Sequence, residues 1–134
     1  MENCVFCKII NGVFSSYKIY EDEYTYAFLD IAKDVDGHIL VVPKKHVKNI
    51  LDCDSETLQH VMSTVKTISN HLVENCGYDG VNLLNASDES AGQTVYHLHI
   101  HIIPRKNNDG IDAWPKFTGA LKELEELQKK LEIK

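Results

Sequence analysis

The chain has 134 residues, 43% apolar and 25% charged, with a formal net charge of −6 at pH 7. That length suits one domain with a core that needs no staples, and an acidic balance with scattered cations excludes the basic face a nucleic-acid partner requires. No apolar run nears the ~18 residues that span a bilayer, and Met1-Glu2-Asn3-Cys4 lacks the basic start of a secretory signal, so the expectation is a cytoplasmic protein with no membrane partner.

Residues 4–10 predict a helical turn or two, closed by Asn11-Gly12. Residues 17–21 and 24–31 are rich in aromatic and β-branched side chains and predict a hairpin across Asp22-Glu23, followed by a third strand over 37–42 that Pro43 stops. Over 55–75, Leu58, Val61, Met62, Val65, Ile68, Leu72 and Val73 recur with helical period, with Asp54 as N-cap and Gly77 just past the end. A fourth strand is expected over 80–86, a small-residue loop over 87–92 and a fifth strand over 94–103, ended by Pro104. A last amphipathic helix over 119–131 turns Leu121, Leu124, Leu127 and Leu131 inward. Hairpins around one long helix, without strict alternation of strand and helix, indicate an α+β fold with a five-stranded, mainly antiparallel sheet.

The four cysteines divide into two kinds. Cys53 and Cys76 stand alone and read as buried small hydrophobes, whereas Cys4-x-x-Cys7 is half of a metal motif whose other half must come from elsewhere. A redox dithiol would need a helix N-terminus and a thioredoxin-like context.

The richest stretch is His97-Leu98-His99-Ile100-His101-Ile102-Ile103. Strand geometry puts the three imidazoles on one face, roughly 6.6 Å apart at ~3.3 Å per residue. Leu98, Ile100 and Ile102 then hold the other face to the core. A buried row of imidazoles is costly unless the rings have partners. Two chemistries fit it: chelation of a catalytic metal that activates water, or direct attack of one imidazole on phosphorus while its neighbours hold the phosphate.

Gly92-Gln93-Thr94-Val95-Tyr96 and the seven residues after it resemble the signature of the histidine triad (HIT) family. The Cys4-x-x-Cys7-Lys8-Ile9-Ile10 segment, Tyr20-Glu21-Asp22-Glu23, Phe28-Leu29-Asp30-Ile31 and the stretch from Gly37 through Pro43 to His46 are similar to bacterial members of its nucleotide-binding branch. The resemblance implies one HIT-type domain over 1–134, with a C-terminal extension from about 107, paired into a homodimer. It implies that His99 attacks an α-phosphate and forms a nucleotidyl-histidine from which water releases a nucleoside monophosphate. His101 and His38 would contact phosphate or position the nucleophile, and Thr94 would lie near the leaving group. Asn85, Gly92 and Gln93 would line the phosphate site. Asp30 would take the ribose hydroxyls, and Val5, Phe6, Phe28, Ile31 and Leu40 the base of an AMP- or GMP-like purine nucleotide. It also implies a structural zinc on Cys4, Cys7, His46 and His97, with no cofactor needed for the chemistry.

The expected activity is hydrolysis or nucleotidyl transfer on nucleoside phosphoramidates. The alternatives are a dinucleoside polyphosphate hydrolase, a zinc hydrolase with its metal on the triad, and a nucleotide-binding interaction module with little turnover.

Overall fold

A computed structural model describes residues 3–133; Met1 and Glu2, part of the N-terminal reading, and Lys134 lie outside the described residues. The elements follow in the order α1 (Val5–Ile10), β1 (Lys18–Glu21), β2 (Thr25–Leu29), β3 (Ile39–Pro43), α2 (Ser55–Asn75), β4 (Gly80–Leu84), a 3-10 turn (Glu89–Ala91), β5 (Ile100–Arg105) and α3 (Leu124–Leu131). The strands form one antiparallel sheet in the order β1-β2-β3-β5-β4. The fold is the expected α+β arrangement with five strands and three helices.

The sheet has two unlike faces because side chains alternate along each strand. Ile39 and Val41 of β3, with Ala27, Ile100 and Ile102, pack against Val61, Val65, Ile68 and Leu72 of α2. Each such fully buried aliphatic side chain contributes about 1.5–3 kcal/mol. On the opposite face Leu40 and Val42 join Tyr26, Phe28 and Phe6 of α1. Register aligns Phe28, Leu40 and His101 directly across three strands, so the triad's last histidine shares the α1 face with the aromatic cluster.

Local chemistry sets the ends of α2. Asp54 accepts from the Thr57 amide at 3.0 Å and so satisfies one of the helix's orphan donors, while Gly77 follows the C-cap at φ +83°. The buried stripe is narrower than its period suggests. Met62 and Val73 are exposed at the stripe's margins, and Thr64 is buried in their stead, its hydroxyl 2.7 Å from that of Thr25. Cys53 is only half-buried and Cys76 is exposed, so neither is the core residue expected; all four cysteines are free thiols.

Two further expectations are corrected. β5 begins at Ile100 rather than Thr94, because its pairing with β3 reaches no further than Val41. Past that point the Pro43 carbonyl is taken by His97 Nε2 at 2.8 Å, and the Leu98 amide donates to Val47. β5 also runs through Pro104 to Arg105; there β3 no longer flanks it, and Pro104 lies against Gly37 instead. The C-terminal helix is shorter than expected, and three of its four expected leucines do not turn inward: Leu121, which precedes it, Leu124 and Leu131 are 98%, 79% and 69% exposed, while Leu127 is half-buried. What favours that helix locally is charge order, with Glu125 and Glu126 in its first turn and Lys129 and Lys130 in its last.

Candidate active site and cysteine–histidine cluster

A cleft of about 350 Å³ opens on the α1 face, lined by Val5, Phe6, Phe28, Asp30, Ile31 and Leu40. All six were expected from the sequence to surround a nucleoside. Ile9, Phe14, Ser15, Ser16 and Leu29 also line it and were not expected. Ile9 had a legible signal, since a spacing of three from Phe6 puts both on one helix face. Phe6 anchors the floor, edge-on to Phe28 at 5.5 Å and to the His99 ring at 5.1 Å, so the cleft abuts the triad.

His99 is held at one nitrogen only. Its Nδ1 lies 2.7 Å from the His97 carbonyl. A carbonyl can only accept, so Nδ1 carries the proton and Nε2 keeps its lone pair. No hydrogen-bond partner for Nε2 exists among the described residues. Burial pushes the ring's pKa below its ordinary value, which keeps it neutral at pH 7. Asn85 donates to the His99 carbonyl at 2.8 Å and fixes the backbone of this residue from β4's side of the sheet.

His101 and His38 meet nitrogen to nitrogen, His38 Nε2 to His101 Nδ1 at 2.9 Å. The far side of His38 is engaged by Asp34, with Nδ1 2.8 Å and 3.1 Å from the two carboxylate oxygens. Asp34 was not singled out in the sequence; its position four residues before His38 in a loop was the only available hint. Asp30 lies 3.7 Å from His38 Nε2, too far for a hydrogen bond. The His101 and His99 rings stand edge to face at 4.9 Å. Burial, and then the neighbouring His99 and His38, push His101 down to about 4.

The second cluster forms where α1 begins. Cys4 caps α1, its sulfur accepting from the Cys7 amide at 3.3 Å, so the dithiol does sit at a helix N-terminus. The all-antiparallel sheet is not the thioredoxin-like context that a redox pair also needs, and burial, helped by Cys4, pushes the Cys7 thiol up to about 11. The sulfurs face imidazoles instead. Cys4 Sγ is 3.3 Å from His97 Nδ1, Cys7 Sγ is 3.3 Å from His46 Nδ1, and the two Nδ1 atoms are 3.2 Å apart. Tetrahedral coordination with metal–sulfur and metal–nitrogen bonds of ordinary length would set such donors about 3.3–3.6 Å apart. The His97 Nε2 proton goes to the Pro43 carbonyl, which leaves Nδ1 bare and aimed into the cluster, the usual outer-shell device for a ligating histidine. The two thiols and two imidazoles therefore fit one metal ion.

Thr94 is exposed and lines a different opening, of about 700 Å³, together with Asn3, Cys4, Val5, His46, Val95 and Tyr96. Gln93 turns its side chain inward: it donates to the Lys48 and Val95 carbonyls and accepts from Asn49 and the Asp88 amide. It thereby pins the loop in which Gly92 takes the left-handed φ of +91°. Trp114, 71% exposed, touches neither opening.

A HIT domain model matches residues 11–108. An uncharacterized HIT-like protein of Borreliella burgdorferi is 46% identical over 112 residues, 82% of this chain and 81% of that one. An adenosine 5′-monophosphoramidase of Saccharomyces cerevisiae is 35% identical over 130 residues, 96% of this chain and 80% of the other. An adenylylsulfatase of Arabidopsis thaliana is 41% identical over 107 residues, 80% of this chain and 54% of the other. Among solved structures, a HIT family protein from Bacillus anthracis superposes with a TM-score of 0.84 at 44% identity, covering 96% of this chain and 92% of its own. A zinc-bound histidine triad family protein from Mycobacterium smegmatis superposes at 0.79 and 35% identity, covering 84% and 81%.

Proposed function

The chain belongs to the histidine triad (HIT) family, and from that premise we propose that it hydrolyses nucleotides at the α-phosphate, with nucleoside phosphoramidates as substrate class. The observation that carries this reading is the state of His99: neutral, protonated at Nδ1 against the His97 carbonyl, with the Nε2 lone pair beside an aromatic cleft. A nucleophilic imidazole needs that tautomer and that protonation state.

The base enters between Phe6, Phe28 and Leu40, and Asp30 accepts from the ribose hydroxyls. The His99 Nε2 lone pair forms a bond to the α-phosphorus as the bond to the leaving nitrogen breaks. The amine departs with that electron pair and takes a proton from solvent. The His97 carbonyl stabilises the positive charge that develops on the His99 ring. His101, backed by His38, faces the phosphate with Nε2 and donates from it to a phosphate oxygen once the His38–His101 pair has taken up a proton. Water then attacks phosphorus, the N–P pair returns to Nε2, and a nucleoside monophosphate leaves. One water is consumed overall. The role of Asn85 is to hold the His99 backbone, and Gly92 and Gln93 shape the phosphate loop.

The metal of the second cluster is read as zinc with a structural role, since a four-ligand set leaves no open position for water. Bound there, it would tie α1 and the end of β3 to the triad segment. The chain is further read as a single cytoplasmic domain over 1–134 that pairs into a homodimer, with residues from about 107 as an extension.

The activities for which the yeast and Arabidopsis relatives are named, a monophosphoramidase and an adenylylsulfatase, both support AMP-type chemistry. The test is a turnover panel of an adenosine phosphoramidate, an aminoacyl adenylate, adenylyl sulfate and a dinucleoside polyphosphate, run on wild type and His99→Ala. Loss of at least about a thousandfold in turnover, with AMP binding retained by calorimetry, is expected of the variant. Full activity in His99→Ala would end the reading. Preference for the dinucleoside polyphosphate would shift the substrate class but keep the chemistry.

A further inference from the structure

The geometry points to Asp34 as a positioning residue that sets the direction of a proton chain Asp34–His38–His101 and thereby decides whether Nε2 of His101, the ring nitrogen left free to face the bound phosphate, carries a proton. The inference rests on the proposed reading of His101 as a phosphate-holding group.

A carboxylate at neutral pH only accepts. With Asp34 oxygens 2.8 Å and 3.1 Å from His38 Nδ1, that nitrogen must carry the proton. A neutral His38 then has a bare Nε2, which accepts from the group 2.9 Å away, His101 Nδ1. His101 Nδ1 must therefore be protonated, and its Nε2 is the one ring nitrogen of the pair not used inside the protein among the described residues. Among the described residues no other acceptor lies within hydrogen-bond distance of His38 Nε2, the Asp30 oxygen standing at 3.7 Å.

Without Asp34 the pair has no preferred direction. His38 Nε2–H donating to His101 Nδ1 makes an equally good bond, and His101 then presents a protonated Nε2 in the free protein. The carboxylate also supplies the counter-charge when the His38–His101 pair takes up a proton beside a phosphate. Asp34 can do this from the rim, since its side chain is 53% exposed while that of His38 is 9% exposed. The loop reaches the rim through Gly37 at φ +82°, where a Cβ would lie 3.0 Å from Pro104 Cγ.

The test combines nitrogen-15 NMR of histidine-labelled protein, metal-loaded as purified, with steady-state kinetics on an adenosine phosphoramidate. In wild type the His101 proton is expected on Nδ1, with a through-bond coupling to His38 Nε2. Asp34→Ala is expected to mix the two tautomers of both rings and to lower kcat about tenfold, with KM within about twofold. Asp34→Glu is expected to restore much of both. In a His38→Gln background Asp34→Ala should cost little more, because its effect passes through His38. Should wild-type His101 carry its proton on Nε2, or should Asp34→Ala leave the nitrogen signature as in wild type, the inference is overturned. A tautomer change in a protein that fails to turn over phosphoramidates supports the relay and instead counts against the functional reading.

Discussion

Two clusters of imidazoles lie beside one another on the α1 face and use the same side chain with opposite proton logic. In the Cys4–Cys7–His46–His97 corner, donor atoms 3.2–3.5 Å apart turn toward a common centre, and the Pro43 carbonyl forces His97 to aim a bare nitrogen there. That arrangement asks for a cation. In the Asp34–His38–His101 chain each donor meets an acceptor, and the series closes with protons alone. His99 stands between them, its Nδ1 on the carbonyl of a cluster residue and its ring against His101. The comparison teaches that a ring's partners, rather than its type, decide whether it ligates, relays or attacks.

The largest effect should come from dismantling the cation-dependent corner. Cys4→Ser/Cys7→Ser is expected to abolish metal binding by elemental analysis and to lower Tm on the order of 10 °C. Turnover should fall with it, because the carbonyl that orients His99 belongs to His97. A chelator that stops turnover while leaving Tm unchanged would instead put the metal at the triad.

The next largest effect concerns the relay's loop. Gly37→Ala places a Cβ 3.0 Å from Pro104 Cγ and 3.2 Å from the Tyr78 hydroxyl, at a φ of +82°. It should cost roughly 1–3 kcal/mol in denaturant unfolding and depress kcat by displacing His38, with metal content unaltered. Unchanged stability would mean that the Gly37 turn is not held as described.

The smallest effect is a slope. His101 is pushed down to about 4 in the fold, by burial first, against an ordinary 6.5. The folded state thus favours the neutral ring, and the stability this contributes is present above about pH 6.5 and lost as pH falls toward 4. His101→Gln should flatten the fall in unfolding free energy across that window. A slope identical to wild type would show that His101 is not a neutral ring of the relay.

Much of this was legible in the sequence for physical reasons. The period of Val61, Val65, Ile68 and Leu72 dictated α2 and its buried face, and the alternation through Leu98, Ile100 and Ile102 fixed which way the triad turns. The Cys/His set was suggested by resemblance, and the structure brings the four residues together. What was not legible depends on tertiary partners. The start of β5 is decided by where β3 stops accepting hydrogen bonds, which the Pro43–His97 contact settles. Leu121, Leu124 and Leu131 are exposed because no apolar surface among the described residues covers them, which a leucine pattern alone does not report. Asp34 escaped notice because an acidic residue in a loop is ordinarily solvated. Only the loop's path brings its carboxylate to His38.

The account turns on a bond between His99 Nε2 and the α-phosphorus, and intact-protein mass spectrometry of a rapidly quenched single turnover measures it. With an adenosine phosphoramidate at neutral quench, the prediction is a mass gain of one adenylyl group, confined to the peptide carrying His99 and lost on acid treatment. An adduct on any other residue, or turnover with no adduct under conditions where its hydrolysis is slowed, would contradict it.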